Sequence, residues 1–126
     1  MKKILIVDDD ADIIELVVNR LRKNNYEVIS SNDGQEGFKK AVEFHPDLII
    51  MDIMMPNLSG GEAVKLLKSN TATHQIPVLF FTALAANLAG DAGLDEINVG
   101  GHLYPALTKP FDPSKLLLAI KFMLEK

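Results

Sequence analysis

Short apolar runs alternate along the chain with stretches of helical periodicity. Five runs predict strands, at residues 4–7, 28–31, 48–51, 78–81 and 103–108. The first, third and fourth are apolar throughout, which is typical of strands that a parallel sheet buries on both faces. Between the runs, apolar side chains recur every three or four residues. This alternation predicts an α/β fold with a parallel sheet and right-handed crossovers.

Polar residues mark where several of the predicted helices begin. Ser59 stands three residues before Glu62, which is the spacing of a capping box. Asp112 precedes Pro113, a pair that suits an N-cap followed by proline at the first helical position. No internal repeat or linker interrupts the pattern, so we expect a single domain over residues 1–126.

The composition excludes several classes of site. The 126 residues include no cysteine, which rules out disulfides, thiolate zinc sites and cysteine nucleophiles. The 13 Lys and Arg against 17 Asp and Glu give a net charge of −4, which argues against direct nucleic-acid binding. No apolar run approaches the ~20 residues that span a bilayer, and the first run is too short for a signal peptide. We therefore expect a globular cytoplasmic domain with no membrane segment.

Residues with reactive side chains follow four of the predicted strands. Asp8, Asp9 and Asp10 follow the first strand, and Asp52 follows the third. Thr82 follows the fourth strand, and Lys109 follows the fifth. In an open α/β sheet, ligands bind beyond the carboxyl ends of the strands, so these side chains should meet at one edge. Clustered carboxylates repel one another unless a cation relieves the repulsion, and oxygen ligands favour Mg²⁺ over zinc. An aspartate after a strand is also common as a helix N-cap, and this is an alternative role for Asp10 or Asp12.

This constellation has a consistent chemical interpretation. A carboxylate beside a metal can attack phosphorus and form an aspartyl phosphate. The metal and a lysine then neutralise the phosphoryl oxygens, while a hydroxyl donates a hydrogen bond to them. The sequence therefore predicts phosphoryl chemistry at this edge of the sheet.

Four stretches resemble a response-regulator receiver domain, the phosphoacceptor half of two-component signalling. They read ILIVDDD at 4–10, HPDLIIMDIMMP at 45–56, IPVLFFTA at 76–83 and LTKPF at 107–111. The resemblance covers essentially the whole chain. It implies a flavodoxin-like, doubly wound, five-stranded parallel sheet in the order 2-1-3-4-5, with helices on both faces.

The resemblance also implies roles for individual residues. Asp52 matches the phosphoacceptor. The implied Mg²⁺ ligands are the carboxylates of Asp8, Asp9 and Asp52 and the backbone carbonyl of Met54. Thr82 matches the switch hydroxyl, and Lys109 matches the family's lysine. The resemblance implies a domain that catalyses only its own phosphorylation and dephosphorylation.

The implied partners are those of a signalling switch. A histidine kinase, a phosphotransfer protein or a small phosphodonor supplies the phosphoryl group. An unknown downstream protein then binds, in the family, to the face formed by the fourth helix, the fifth strand and the last helix. Because the chain leaves no room for an output domain, we expect a single-domain regulator.

Several positions depart from the family pattern. Ala106 occupies the position of the usual aromatic residue, and Tyr104 is the candidate to replace that aromatic. The chain is longer than usual around residues 87–102, where the fourth helix and its exit loop should lie. Met54 and Leu84 occupy the two positions that, in the family, flank the path of the hydrolytic water. Both are apolar here, which predicts a long-lived phosphoryl group.

The last helix carries apolar residues beyond one stripe. Leu118 and Phe122 should lie off the face that packs on the sheet. They either form part of a partner or homodimer surface, or are covered by residues 87–102.

Two other functions remain open from the sequence. The chain could be an interaction module that keeps the receiver fold without switching, which Ala106 and the altered segment favour. It could also be a phosphatase of the haloacid-dehalogenase type, since Asp8 and Asp10 match that nucleophile motif. Such enzymes need a further acidic pair after the lysine, whereas only Asp112 follows Lys109 closely.

Overall fold

A computed structural model describes residues 1–55, 58–82, 95–99, 101–108 and 112–125, with the backbone alone for Thr82 and Asp95. The elements are, in order, β1 (Lys3–Val7), α1 (Ala11–Lys23), β2 (Glu27–Ser31), α2 (Gly34–Phe44), β3 (Leu48–Asp52), α3 (Gly60–Ser69), β4 (Val78–Thr82), β5 (Asp95–Val99), β6 (His102–Thr108) and α4 (Pro113–Leu124). Each of the five predicted strands is present, with bounds that differ by at most one residue at either end.

The strands form one sheet in the order β2-β1-β3-β4-β6-β5. From β2 to β6 every neighbouring pair is parallel, so the predicted order of five parallel strands is confirmed, with β6 as the fifth. The core strands are buried on both faces, as their continuous apolar sequences predict.

The sixth strand, β5, was not predicted. It pairs antiparallel with β6 at the edge of the sheet and lies within residues 87–102, where the fourth helix and its exit loop were expected. Residues 87–94 and 100 of that region lie outside the described part of the chain. Polar and apolar residues alternate in β5, with Ile97 buried and Asn98 exposed, which is the periodicity of a strand. Gly101 turns the chain into β6 with a φ of +87°, a conformation that glycine adopts without steric cost.

Helices cover both faces of the sheet, as expected. One face packs against α1 and α4, whose buried residues include Leu21, Leu116 and Ile120. The other face packs against α2 and α3, through Ala41 and Leu67 among others. This division leaves the carboxyl edge of the parallel strands between the two helical layers.

The predicted caps are present. The Ser59 and Glu62 side chains each accept a hydrogen bond from the other residue's backbone N–H, which completes a capping box. Asp112 accepts from the amide of Ser114 at 2.8 Å. Asp10 caps α1, which decides between the two N-cap candidates at that helix. None of the described helices is long and apolar enough to cross a membrane.

Candidate functional site

Three carboxylates meet at the carboxyl edge of the sheet. Asp8 and Asp9 follow β1, and Asp52 is the last residue of β3, which lies beside β1. One oxygen from each carboxylate lies within 4.8 Å of the others. Asp8 is fully buried, Asp52 is 6% exposed and Asp9 is exposed, so solvent reaches the cluster from the Asp9 side.

Backbone amides hold the two buried carboxylates. Oδ1 of Asp8 accepts a hydrogen bond from the amide of Asp10 at 2.9 Å. Oδ1 of Asp52 accepts one from the amide of Met54 at 3.2 Å. Because each bond spans two residues, the turn that follows each strand sets the direction of the carboxylate that ends it.

The loop after Asp52 is closely packed against the start of α3. The amide of Gly60 donates to the carbonyl of Ile53 at 2.9 Å, and the amide of Ile53 donates to the carbonyl of Phe81 at 3.1 Å. A Cβ atom on Gly60 would lie 2.4 Å from the carbonyl oxygen of Asp52. Only glycine therefore lets α3 begin this close to the backbone of Asp52.

The donor set fits a hard divalent cation. Three carboxylates supply oxygen ligands within a span that one ion can bridge, and no histidine or cysteine belongs to the cluster. Mg²⁺ usually keeps several waters and takes only a few protein oxygens, which agrees with a cluster open to solvent at Asp9. The arrangement can thus hold Mg²⁺ beside a nucleophilic carboxylate.

The remaining predicted site residues are only partly described. The backbone of Thr82 ends β4, directly after Phe81, which is opposite Asp52 in the parallel register. This places Thr82 at the same edge as the acidic cluster. Lys109 and Leu84 lie outside the described residues. Met54 is 64% exposed beside the cluster.

The aromatic candidate lies away from this edge. Ala106 is fully buried, opposite Phe80 in the parallel register. Tyr104 packs edge-on against Phe80, with ring centroids 5.5 Å apart. Since it precedes Ala106 by two residues along β6, Tyr104 stands about 7 Å further from the carboxyl edge. It therefore does not take the place of the family's aromatic residue next to the site.

Comparison with known proteins agrees with the fold. The model of the response regulator receiver domain matches residues 4–121. The chain belongs to the response-regulator receiver family. It is 37% identical over 125 residues to PhoP of Bacillus subtilis, an alkaline phosphatase synthesis transcriptional regulatory protein. That match covers 99% of this chain and 49% of the relative, so the receiver domain spans about half the length of this curated relative.

Solved structures show the same fold. The chemotaxis protein CheY4 of Vibrio cholerae is 32% identical, with a TM-score of 0.82 and 98% of each chain covered. The receiver domain of the sensor histidine kinase PA1611 from Pseudomonas aeruginosa also gives a TM-score of 0.82, at 23% identity, with 99% of this chain and 98% of that chain covered.

Two features of this receiver domain were missed by the sequence analysis. One is the steric reason for Gly60, which depends on the backbone of Asp52 in another element. The other is the contact of α3 with the β5–β6 hairpin, where Lys68 lies 6.0 Å from the centre of the Tyr104 ring. Both arise from pairs of residues distant in sequence, so no local pattern signals them.

Proposed function

We propose that this receiver domain is a phosphorylation-controlled switch in which Asp52 accepts a phosphoryl group in a Mg²⁺-dependent reaction. The observation that carries the proposal is the acidic cluster, in which Asp8, Asp9 and Asp52 bring their oxygens within 4.8 Å. Three carboxylates repel an incoming phosphoryl group, so phosphoryl transfer at this cluster calls for a cation.

Asp52 is the proposed nucleophile. A carboxylate oxygen attacks phosphorus, while the bond from phosphorus to the donor breaks and its electron pair leaves with the donor. The donor is the phosphohistidine of a kinase or phosphotransfer protein, or a small acyl phosphate. The amide of Met54, at 3.2 Å from Oδ1, keeps the carboxylate oriented through the reaction.

The metal site is proposed to consist of the Asp8, Asp9 and Asp52 carboxylates and the Met54 carbonyl. When bound, Mg²⁺ supplies charge neutralisation for the carboxylates and for the transferring phosphoryl oxygens. The PA1611 receiver domain, which shares this fold, has a magnesium ion coordinated in its active-site cleft.

Thr82 and Lys109 complete the proposed site. The Thr82 hydroxyl donates a hydrogen bond to a phosphoryl oxygen, and the Lys109 ammonium pairs with another. Loss of the phosphoryl group needs a water molecule to reach phosphorus in line with the bond to Asp52. The Met54 side chain offers that water no base and only a weakly accepting sulfur, so the phosphorylated form should persist.

The proposed setting is cytoplasmic signalling with a histidine kinase upstream and a protein target downstream. On α4, Leu118 is 68% exposed and Phe122 is half-buried, as the sequence predicts for residues off the inward stripe. We propose that they form part of a partner or homodimer surface. Light scattering that shows a concentration-dependent mass would support the homodimer.

The mass of the intact protein tests the phosphoacceptor. Wild type incubated with acetyl phosphate and Mg²⁺ should gain one phosphoryl group, which Asp52→Asn and omission of Mg²⁺ should each abolish. Asp10→Asn is the matched control, because asparagine still caps α1 and the residue adjoins the cluster. An adduct that survives Asp52→Asn would refute the assignment.

One observation favours a second candidate, an interaction module without switching. Ala106 is buried and Tyr104 packs against Phe80 away from the carboxyl edge, so the family's usual aromatic coupling is missing at these positions. Partner affinity that is equal with and without the phosphoryl group would support this candidate. The phosphatase alternative predicts turnover of a phosphomonoester that is lost in Asp8→Asn and kept in Asp52→Asn.

A further inference from the structure

A groove runs between α3 and the β5–β6 hairpin, away from the acidic cluster. It encloses about 640 Å³, a volume within the range of ligand-binding clefts. Its apolar lining comes from both sides: Val64 on α3, and Val99, Leu103 and Tyr104 on the hairpin. The groove depends on β5, the strand that extends this sheet beyond the five parallel strands.

The polar lining of the groove includes two cations, Lys65 and Lys68, beside Ser69 and His102. None of the described lining residues carries a carboxylate. This contrasts with the whole chain, which has a net charge of −4. The groove is thus a local cationic region on an acidic protein, and its charge is complementary to carboxylates.

The two lysines have different roles in the groove. Lys68 is fixed, because its Nζ donates to the carbonyls of His74 and Ile76, each at 3.1 Å. Partial burial lowers the pKa of Lys68 below its ordinary value, since desolvation disfavours the ammonium. A carboxylate placed in the groove would offset that cost.

Lys65 lies three residues before Lys68, hence on the same face of α3. Its side chain is exposed, and no ion pair joins it to another residue in the described part of the chain. It can therefore reach a ligand without breaking an existing contact.

We propose that this groove binds an acidic segment of a partner protein, with an apolar side chain on the Val64–Tyr104 floor and carboxylates against the lysines. A nucleic acid fits poorly, because the net negative chain repels a long polyanion and the floor is apolar. Binding in the groove does not require phosphorylation of Asp52, so the proposal goes beyond the switch function.

Amide shifts of the ¹⁵N-labelled chain test the proposal. The probe is a capped Asp-Glu-Leu-Phe-Glu-Asp peptide, compared with the isosteric Asn-Gln-Leu-Phe-Gln-Asn peptide. The acidic peptide should cause saturable shifts at residues 64–69 and 101–104, and the neutral peptide should bind more weakly. The proposal is overturned by shifts that map elsewhere, by equal affinity of both peptides, or by no saturable shift at millimolar concentration.

Exposed substitutions locate the binding without threatening the fold. Lys65→Glu should weaken the binding of the acidic peptide roughly five-fold, because the exposed side chain at position 65 would then repel a peptide carboxylate instead of attracting it. Lys115→Glu is the matched control on α4, at the opposite face of the sheet, and should leave the affinity unchanged. Equal losses in the two variants would show that only net charge matters and would overturn the proposal.

A second variant tests the apolar part of the groove. Leu103 is 61% exposed, so Leu103→Ser should weaken the peptide while the unfolding free energy stays close to that of wild type. Asp52→Asn should bind the peptide like wild type. The groove and the phosphoacceptor can therefore fail independently, because the groove is also measured in a variant that lacks the Asp52 carboxylate.

Discussion

Asp9 is the member of the acidic cluster that is exposed to solvent. Its substitution tests the proposed metal site. Without a divalent cation, Asp9→Asn should raise the free energy of unfolding by up to about 1 kcal/mol, because it removes a carboxylate from a repelling cluster. With Mg²⁺, wild type should gain about 1.4 kcal/mol at ten times its dissociation constant. Asp9→Asn should lose most of that gain.

Urea unfolding with Mg²⁺ or with a chelator measures both effects. Asp10→Asn serves as the control, since it removes a neighbouring charge without touching the three clustered oxygens. An equal Mg²⁺-dependent gain in Asp9→Asn and wild type would contradict the proposed ligand set.

Met54 bears on how long the phosphoryl group survives. Its side chain is 64% exposed beside Asp52, so it can be made polar with little effect on folding. Met54→Asn should speed dephosphorylation roughly five-fold, a barrier change of about 1 kcal/mol, because an amide can orient the attacking water. Decay of the phosphorylated mass measures the rate, and Leu66→Asn is an exposed control on α3. Equal rates in Met54→Asn and wild type would refute this role.

At the scale of elements, the start of α3 joins the helix to the acceptor strand. Gly60→Ala would bring Cβ to 2.4 Å from the Asp52 carbonyl oxygen, closer than packed atoms approach. The substitution should lower the free energy of unfolding by at least about 2 kcal/mol and slow phosphorylation, since the backbone of Asp52 has to shift.

The adjacent glycine provides a matched control for that substitution. Among the described residues, the nearest atom that a Cβ on Gly61 would meet is Val99 Cγ1, at 3.5 Å. Gly61→Ala should therefore keep or raise stability, because alanine is the better helix former. Equal destabilisation by the two substitutions in urea would contradict the packing described for Gly60.

The β5–β6 hairpin contains a small, fully buried residue at position 106. Its neighbours in the register are Phe80 on β4 and Asp95 on β5. Ala106→Phe should lower the free energy of unfolding by about 1–3 kcal/mol through overpacking. Leu103→Phe, on the exposed part of the same strand, should be tolerated when measured in the same urea titration. A stable Ala106→Phe would show that the site has room for an aromatic residue.

For the whole molecule, the predictable features are those that depend on periodicity or on strand ends. The apolar runs predict the five parallel strands, and the aspartates after two of them predict the cluster of Asp8, Asp9 and Asp52. β5 was missed because the family pattern predicts a helix and its exit loop there. Polar and apolar residues alternate at Glu96, Ile97, Asn98 and Val99, which is a strand signal. These residues lie inside the longer segment that was expected to hold the helix and its exit loop.

Long-range contacts explain what the sequence could not predict. The need for glycine at position 60 arises where α3 meets β3, and the groove arises where α3 meets the hairpin. Tyr104 illustrates the same limit. As the aromatic residue nearest to Ala106, it was the candidate for the aromatic switch. It lies two residues, about 7 Å, further from the carboxyl edge and packs against Phe80.

The assignment of Asp52 as the residue that carries the phosphoryl group is tested by locating the modified residue. Protein treated with acetyl phosphate and Mg²⁺ is reduced with borohydride, which converts an aspartyl phosphate to homoserine, then digested and sequenced by tandem mass spectrometry. If the assignment is right, homoserine appears at position 52, depends on Mg²⁺ and is absent from protein that was not phosphorylated. Homoserine at position 8, 9 or 10 with an unchanged Asp52 would contradict it.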